Sequence, residues 1–204
     1  MKKTLSEMTL EELWELFPII LKEHNPEYEK WYLIEKEDII RHIGQKNIKR
    51  INHIGSTSVE GLIAKPTIDI LLELDNDCNL EWLKSTLTGM GWLLMSSENE
   101  SDMRMAFNKG YTPDGFDEKV YHLHVRYHGD WNELYFKDYL REHSEVAEEY
   151  GLLKKLLWKK FEHNRDGYTD AKTEFIMKYT NIARACYGDR YSPDATGCKE
   201  NKQQ

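Results

Sequence analysis

Apolar and polar positions sort this chain into stretches of helical and of strand period. Thr9 and Glu12 form a capping-box signature around Leu10, Leu13, Leu16 and Phe17, which predicts a short amphipathic helix. A second helix is predicted after Pro26, with a broad stripe of Trp31, Leu33, Ile34, Ile39 and Ile40 and with Gly44 placed to end it. From Asn47 the period shortens. Ile48, Ile51 and Ile54 lead into His53-Ile54-Gly55-Ser56-Thr57-Ser58, which reads as a strand, a tight turn and the start of a helix. The run 66–74 is rich in branched apolar residues and bounded by Pro66 and a polar turn at 75–77, as a buried central strand would be. A helix over 80–90, strands over 92–95 and 103–107, and a Gly-, Asp- and Pro-rich loop over 108–118 follow. Alternation over 120–126 predicts a strand with two distinct faces. From Trp131 to Tyr187 the period is helical, with breaks near His143 and Gly167.

This element order predicts an α+β (α/β-like) protein in which a mixed sheet is preceded by helices and covered by others. At 204 residues one core is expected, over 1–187: N-terminal helices in 1–45, a sheet core in 46–128 and C-terminal helices in 129–187, then a flexible tail over 188–204. The formal net charge of -8 excludes general attraction to a phosphate backbone, so a nucleic-acid partner would need a local basic patch. Lys154, Lys155, Lys159 and Lys160 are the densest basic run. They flank Leu152, Leu153, Leu156 and Leu157 at helical spacing and read as a solvated face. Cys78, Cys186 and Cys198 lack the spacing of a disulfide framework or a zinc site. Without a leader-type apolar stretch or a membrane-length span, the expected compartment is the cytoplasm.

Three places carry candidate chemistry. Gly55-Ser56 at a helix start offers backbone N–H groups to an anion, with the hydroxyls of Ser56, Thr57 and Ser58 beside them; it is equally a common capping turn. Asp69 is a carboxylate in an otherwise apolar strand, which requires a cation, a metal or several N–H donors, or else a purely structural tie to that turn. His122 and His124 project from one strand face, where they can ligate a metal, bind phosphate, transfer protons or simply be hydrogen-bonded and half-buried. Lys65, Arg104 and Arg126 are the cations available to neutralise a phosphate.

The segment from His53 to Leu71, the His122-Leu123-His124-Val125 strand, Phe136-Lys137-Asp138-Tyr139-Leu140-Arg141, and Tyr168, Lys172, Phe175 and Ile176 together resemble the GrpB family, over roughly 28–187. The resemblance implies a nucleotidyltransferase-type core, in which a Gly-Ser turn holds nucleotide phosphates and strand carboxylates hold divalent metal. Taken with the residues read above, it points to Asp69 and His124 as catalytic residues, to His53, Gly55, Ser56 and Thr57 as substrate-binding with Lys65, Arg104 and Arg126 as the available cations, and to Asp69, His122 and His124 as candidate ligands of Mg²⁺, Mn²⁺ or Zn²⁺. The mixed N/O donor set suits Mn²⁺, Zn²⁺ or Fe²⁺ better than Mg²⁺. One position departs from the superfamily pattern: Leu71 stands where a second acid is usual. Glu73 faces the same way as Asp69 but lies about 13 Å along the strand, too far to share a metal pair about 3.5–4 Å apart. The implied function is binding of a nucleotide or phosphorylated metabolite. Metal-dependent nucleotidyl transfer is one reading, and a catalytically inactive binding or protein-interaction module is the other. For the last, Trp131, Tyr135, Phe136 and Tyr139 form a helical stripe that is expected to pack on the sheet instead.

Overall fold

A computed structural model describes residues 3–98 and 102–194. The capping box forms as expected: the Thr9 N–H donates to Glu12 Oε2 at 2.8 Å and the Glu12 N–H to Thr9 Oγ1 at 3.2 Å, starting α1 (Leu10–Leu16). Helix α2 (Glu27–Ile43) follows Pro26 and ends at Gly44. Its buried face is Tyr28, Tyr32, Glu35, Ile39 and Ile43, whereas Leu33 and Ile34 are exposed. The expected stripe is therefore rotated, because the two tyrosine rings offer more apolar area to the core than the aliphatic side chains beside them.

The sheet comprises β1 (Ile48–Ile54), β2 (Thr67–Leu74), β3 (Leu93–Glu98), β4 (Arg104–Thr112) and β5 (Gly115–Tyr127), in the order β1-β2-β5-β4-β3. Strands β2 and β5 run parallel and the other neighbours antiparallel. This is the mixed α+β architecture that the sequence predicts. Helix α3 (Leu80–Gly89) joins β2 to β3. The period of two divides β2 into two faces. Ile68, Ile70, Leu72 and Leu74 enter a core with Tyr28, Tyr32, Ile39, Leu83 and Leu87 of α2 and α3. Asp69, Leu71 and Glu73 face the opposite way, where Leu71 packs on Ile54 and Leu134.

The loop expected over 108–118 is instead a hairpin: β4 runs to Thr112 and β5 starts at Gly115. Gly110, at φ 87°, absorbs a register shift between Lys109 and Tyr111, and a Cβ there would strike the Lys119 carbonyl oxygen. A bulge of this kind needs the same residues as a loop, which is why composition alone misreads it.

Helices α4 (Asn132–Glu142), α5 (Ser144–Phe161), α6 (Arg165–Asp170) and α7 (Thr173–Tyr187) cover the Asp69 face. The break at His143 is found. Gly167 lies inside α6, its N–H capped by Asn164 Oδ1 at 2.8 Å, so the interruption falls just before that helix. Tyr135 and Tyr139 join Val146, Tyr150 and Tyr179 in a second core, with Phe136 partly buried against it and Trp131 partly buried on Leu71 and Ile54. Residues up to Tyr191, expected within the tail, are packed on the helices. Tyr191 packs on Tyr135, gives its hydroxyl hydrogen to Asp138 and accepts from Arg50 through its carbonyl. The rest of the expected tail, 195–204 with Cys198, lies outside the described residues. Among the described residues no helix is long and apolar enough to cross a membrane.

Candidate functional site

Strand β1 ends at Ile54, which pairs with Asp69 across the antiparallel ladder. The next residue, Gly55, adopts φ 70° and ψ -174°, a region essentially closed to side-chain-bearing residues. A Cβ at Gly55 would also overlap Asp69 Oδ2. The turn and the carboxylate are therefore in direct contact. Residues Ser56–Ser58 form a single 3-10 turn and not the start of a longer helix. So short an element has little dipole, and anion attraction must come from side chains.

Two of the turn's hydroxyls are committed to structure. Thr57 Oγ1 donates to the Thr67 carbonyl at 2.9 Å and accepts from His53 Nε2 at 3.0 Å; Ser58 Oγ donates to the Gly55 carbonyl at 2.6 Å. His53 pairs with Ile70, so strand alternation sends its ring to the α2 face, where it stacks on Tyr32 at 4.9 Å and meets Glu29 at 3.1 Å. Burial lowers its pKa, against the pull of Glu29. His53 and Thr57, expected to touch substrate, instead brace the turn from behind.

Asp69 Oδ1 lies 3.1 Å from His122 Nδ1 and 3.9 Å from His124 Nε2, through the β2–β5 pairing that sets Asp69 against His122 and Leu71 against His124. Burial pushes the Asp69 carboxyl up, but the hydrogen bond from His122 and the electrostatic pull of the imidazoles outweigh it and hold the group below the ordinary carboxylate range. About a quarter of its side chain, 27%, stays open. The other ring nitrogen of His122, Nε2, is 2.7 Å from the Tyr111 hydroxyl and 3.2 Å from Arg165 Nη2. Since Arg165 can only donate, Nε2 is an acceptor and Nδ1 carries the proton given to Asp69. Burial lowers the His122 pKa in keeping with a neutral ring.

Cations crowd this acid. Lys154 of α5 is only 2% exposed and donates from Nζ to Ser56 Oγ at 3.0 Å and to the Ile63 carbonyl. Lys65 and Lys172 approach the same ring, that of Tyr168, at 5.9 and 4.2 Å. Burial and mutual repulsion lower all three: Lys65 to about 8, with Arg165 beside it; Lys154 to about 7, with Lys172 and Lys65; Lys172 to about 7, with Lys65 and Arg165. Lys154 is thus no part of a solvated face. Lys155, Lys159 and Lys160 are exposed, and so are Leu152 and Leu156. Lys154, Lys172, Arg165 and Tyr111 went unrecognised as site residues in the sequence. The signal for Lys154 is its place three and four residues after Gly151 and Tyr150, on the buried stripe of α5.

Arg104 and Arg126 are not brought to this place. They pair with each other across β4 and β5 at the level of Glu73, four residues beyond the Asp69–His122 level. Arg104 binds Asp102 at 2.8 Å and Arg126 binds Glu133 at 2.7 Å, both over the Trp131 ring. Glu73 is fully buried on Arg50 at 2.5 and 2.7 Å and on the Gly129 N–H at 3.1 Å.

The expected ligand triad of Asp69, His122 and His124 is not arranged for a metal. Both nitrogens of His122 are engaged, one Asp69 oxygen is on His122 and the other against Gly55, and the surrounding charges are positive. Among the described residues no group of three or more His, Cys, Asp or Glu side chains is placed to hold a metal ion. This donor set does not fit a resident divalent cation.

Comparison with known proteins places the chain in a family. The GrpB protein family model matches residues 18–181. A UPF0157 protein of Pseudomonas aeruginosa is 36% identical over 66% of this chain, which spans only 55% of that relative's length. The glutamate-rich protein GrpB of Alkalihalophilus pseudofirmus is 32% identical over 80% of this chain and 94% of its own. Among solved structures, GrpB from Enterococcus faecalis superposes with a TM-score of 0.72 at 28% identity, over 82% of this chain and 99% of that one. The Cid1 poly(U) polymerase with Mg 3'-dATP bound aligns with a TM-score of 0.47 at 11% identity, over 79% and 51%. With the family model matching residues 18–181, most of its length, this chain belongs to the GrpB family.

Proposed function

We propose that this protein binds a phosphorylated small molecule, a nucleotide or another phosphorylated metabolite, in the cleft formed by Gly55, Ser56 and Asp69. One observation carries the reading. Lys65, Lys154, Lys172 and Arg165 gather beside Asp69 and the Gly55-Ser56 turn: Lys154 is on Ser56 Oγ at 3.0 Å, Lys65 and Lys172 are at 5.9 and 4.2 Å from the Tyr168 ring, and Arg165 is 3.2 Å from His122, which is bonded to Asp69. Burial first, and then neighbouring cations, disfavour protonation of the three lysines. An excess of positive charge that is partly withdrawn from water is costly by itself and is relieved by a multivalent anion. Phosphate supplies both the charge and the acceptor oxygens for charge-assisted hydrogen bonds. Ser56 Oγ, released by Lys154, would add a neutral donor.

Binding is better supported than transfer. Leu71, at the position of a second acid, is fully buried against Leu134, and the cations beside Asp69 repel a divalent metal. Mg²⁺, Mn²⁺ or Zn²⁺ alone is therefore expected to leave the melting temperature unmoved.

Thermal denaturation and calorimetry with ATP, inorganic tripolyphosphate and ribose 5-phosphate, each in chelator and with Mg²⁺, test the reading. A bound ligand raises the melting temperature. Lys154→Met and Lys172→Met should each weaken binding by about tenfold or more, since a hydrogen bond to a charged group contributes about 1.5–3 kcal/mol. No stabilisation by any of these anions, or affinity indifferent to both substitutions, would remove the proposal. Label transferred from a nucleoside triphosphate above an Asp69→Ala background would turn the binding protein into an enzyme.

A further inference from the structure

A cavity of about 410 Å³ opens beside the cation cluster and shares three wall residues with it, Lys65, Tyr111 and Arg165. Its remaining wall is unlike the cluster. Phe17, Tyr28, Trp31 and Phe116 line it together with Tyr111. Phe17, Tyr111 and Phe116 form a three-ring group, with centroids 4.9, 5.0 and 5.3 Å apart, and Tyr28 and Trp31 form a second pair at 5.6 Å. Phe116 is 38% exposed although it stands among rings that would cover it if the space closed.

We infer that this cavity seats a flat aromatic ring belonging to the same ligand whose phosphate lies on the lysine cluster. The inference rests on the phosphate-binding reading and narrows it, from phosphorylated metabolites in general to those that carry an aromatic ring, a nucleotide being the plainest case. Tyr111 joins the two halves: its ring is part of the aromatic wall, and its hydroxyl is bonded to His122, which is bonded to Asp69. Aromatic walls reward a flat π-face, which offset-stacked or edge-to-face contacts with the five rings would hold. Apart from Lys65 and Arg165, the charged lining residues are three carboxylates, Glu23, Asp117 and Glu118, against one lysine, Lys22, a balance that favours a ring offering N–H groups over a second anionic group.

The probes are ATP, whose adenine ring bears an amino group, and inorganic tripolyphosphate, which lacks the ring. Calorimetry on the full chain should give ATP an affinity at least about tenfold above tripolyphosphate, or about 1.4 kcal/mol. In a Phe17→Ala, Phe116→Ala double variant the ratio of the two affinities should fall to within about twofold. Trp31 gives a second readout that needs no truncation of the cavity: ATP but not tripolyphosphate should change the emission, and Trp31→Phe should abolish the difference. Equal affinity for both probes in the native protein overturns the ring site and leaves the phosphate site standing. A preference for ATP that survives the double variant, with Trp31 silent, also overturns it, since the ring then binds elsewhere. Failure of both probes to bind removes the phosphate reading itself, and the ring site with it.

Discussion

Gly55 and Asp69 constrain each other. The backbone at Gly55 is turned into a conformation that a Cβ resists, and the space a Cβ would fill belongs to the Asp69 carboxylate. Gly55→Ala should therefore destabilise the protein by about 1–3 kcal/mol from backbone strain alone, with a further loss from displacing Asp69. Urea denaturation would measure it, and a variant as stable as the native chain would show that the contact is dispensable. Beside them, Ser56 is the one hydroxyl of the turn not already committed to a backbone carbonyl, which separates it from Thr57 and Ser58.

At the scale of elements, β2 serves two purposes along its three outward positions. Asp69 meets the cleft, Leu71 packs against α4, and Glu73 ties β1 to the chain around Gly129 and Tyr191 through Arg50. Removing one member of a buried, hydrogen-bonded pair leaves the other charge without compensation. Glu73→Ala should cost about 3–5 kcal/mol by equilibrium unfolding, without the selective loss of anion affinity expected of Lys154→Met. Legibility followed the strength of the local pattern. The run 66–74 was readable as a buried strand because it is a near-continuous stretch of branched apolar residues bounded by Pro66 and a polar turn. The hairpin around Gly110 was not, because Gly, Pro and Asp serve a bulged strand and a loop alike. The rotation of α2 toward Tyr28 and Tyr32 was hidden for a different reason: which apolar side of a broad stripe is buried depends on what the sheet presents to it.

For the whole molecule, the cation cluster sets opposite pH dependences for stability and binding. The folded-state pKa values of Lys154 and Lys172 are about 7 and that of Lys65 about 8, against 10.5 for an unperturbed lysine. Between those limits the unfolded chain holds more protons than the folded one, so the stability of the free protein rises as pH increases from about 7 toward 10. Anion affinity moves the other way, because it needs the lysines charged, and it falls as pH passes 7 to 8. Denaturation and calorimetry across that range would record both trends; parallel trends would mean that the lysines do not bind the anion.

The sequence by itself determined the local decisions: the capping box at Thr9, the strand period of β2, the turn at Gly55-Ser56 and the isolation of Asp69 in apolar surroundings. These depend on neighbours within a few residues, and propensity and periodicity record them. Only the tertiary structure decided which charges gather there. Lys154 reaches Ser56 from 98 residues away, Arg165 reaches His122 from 43, and Arg104 and Arg126, plausible from composition, are carried by strand register to the level of Glu73. Coulomb interactions depend on distance through space and on burial, neither of which is written in the order of residues along the chain.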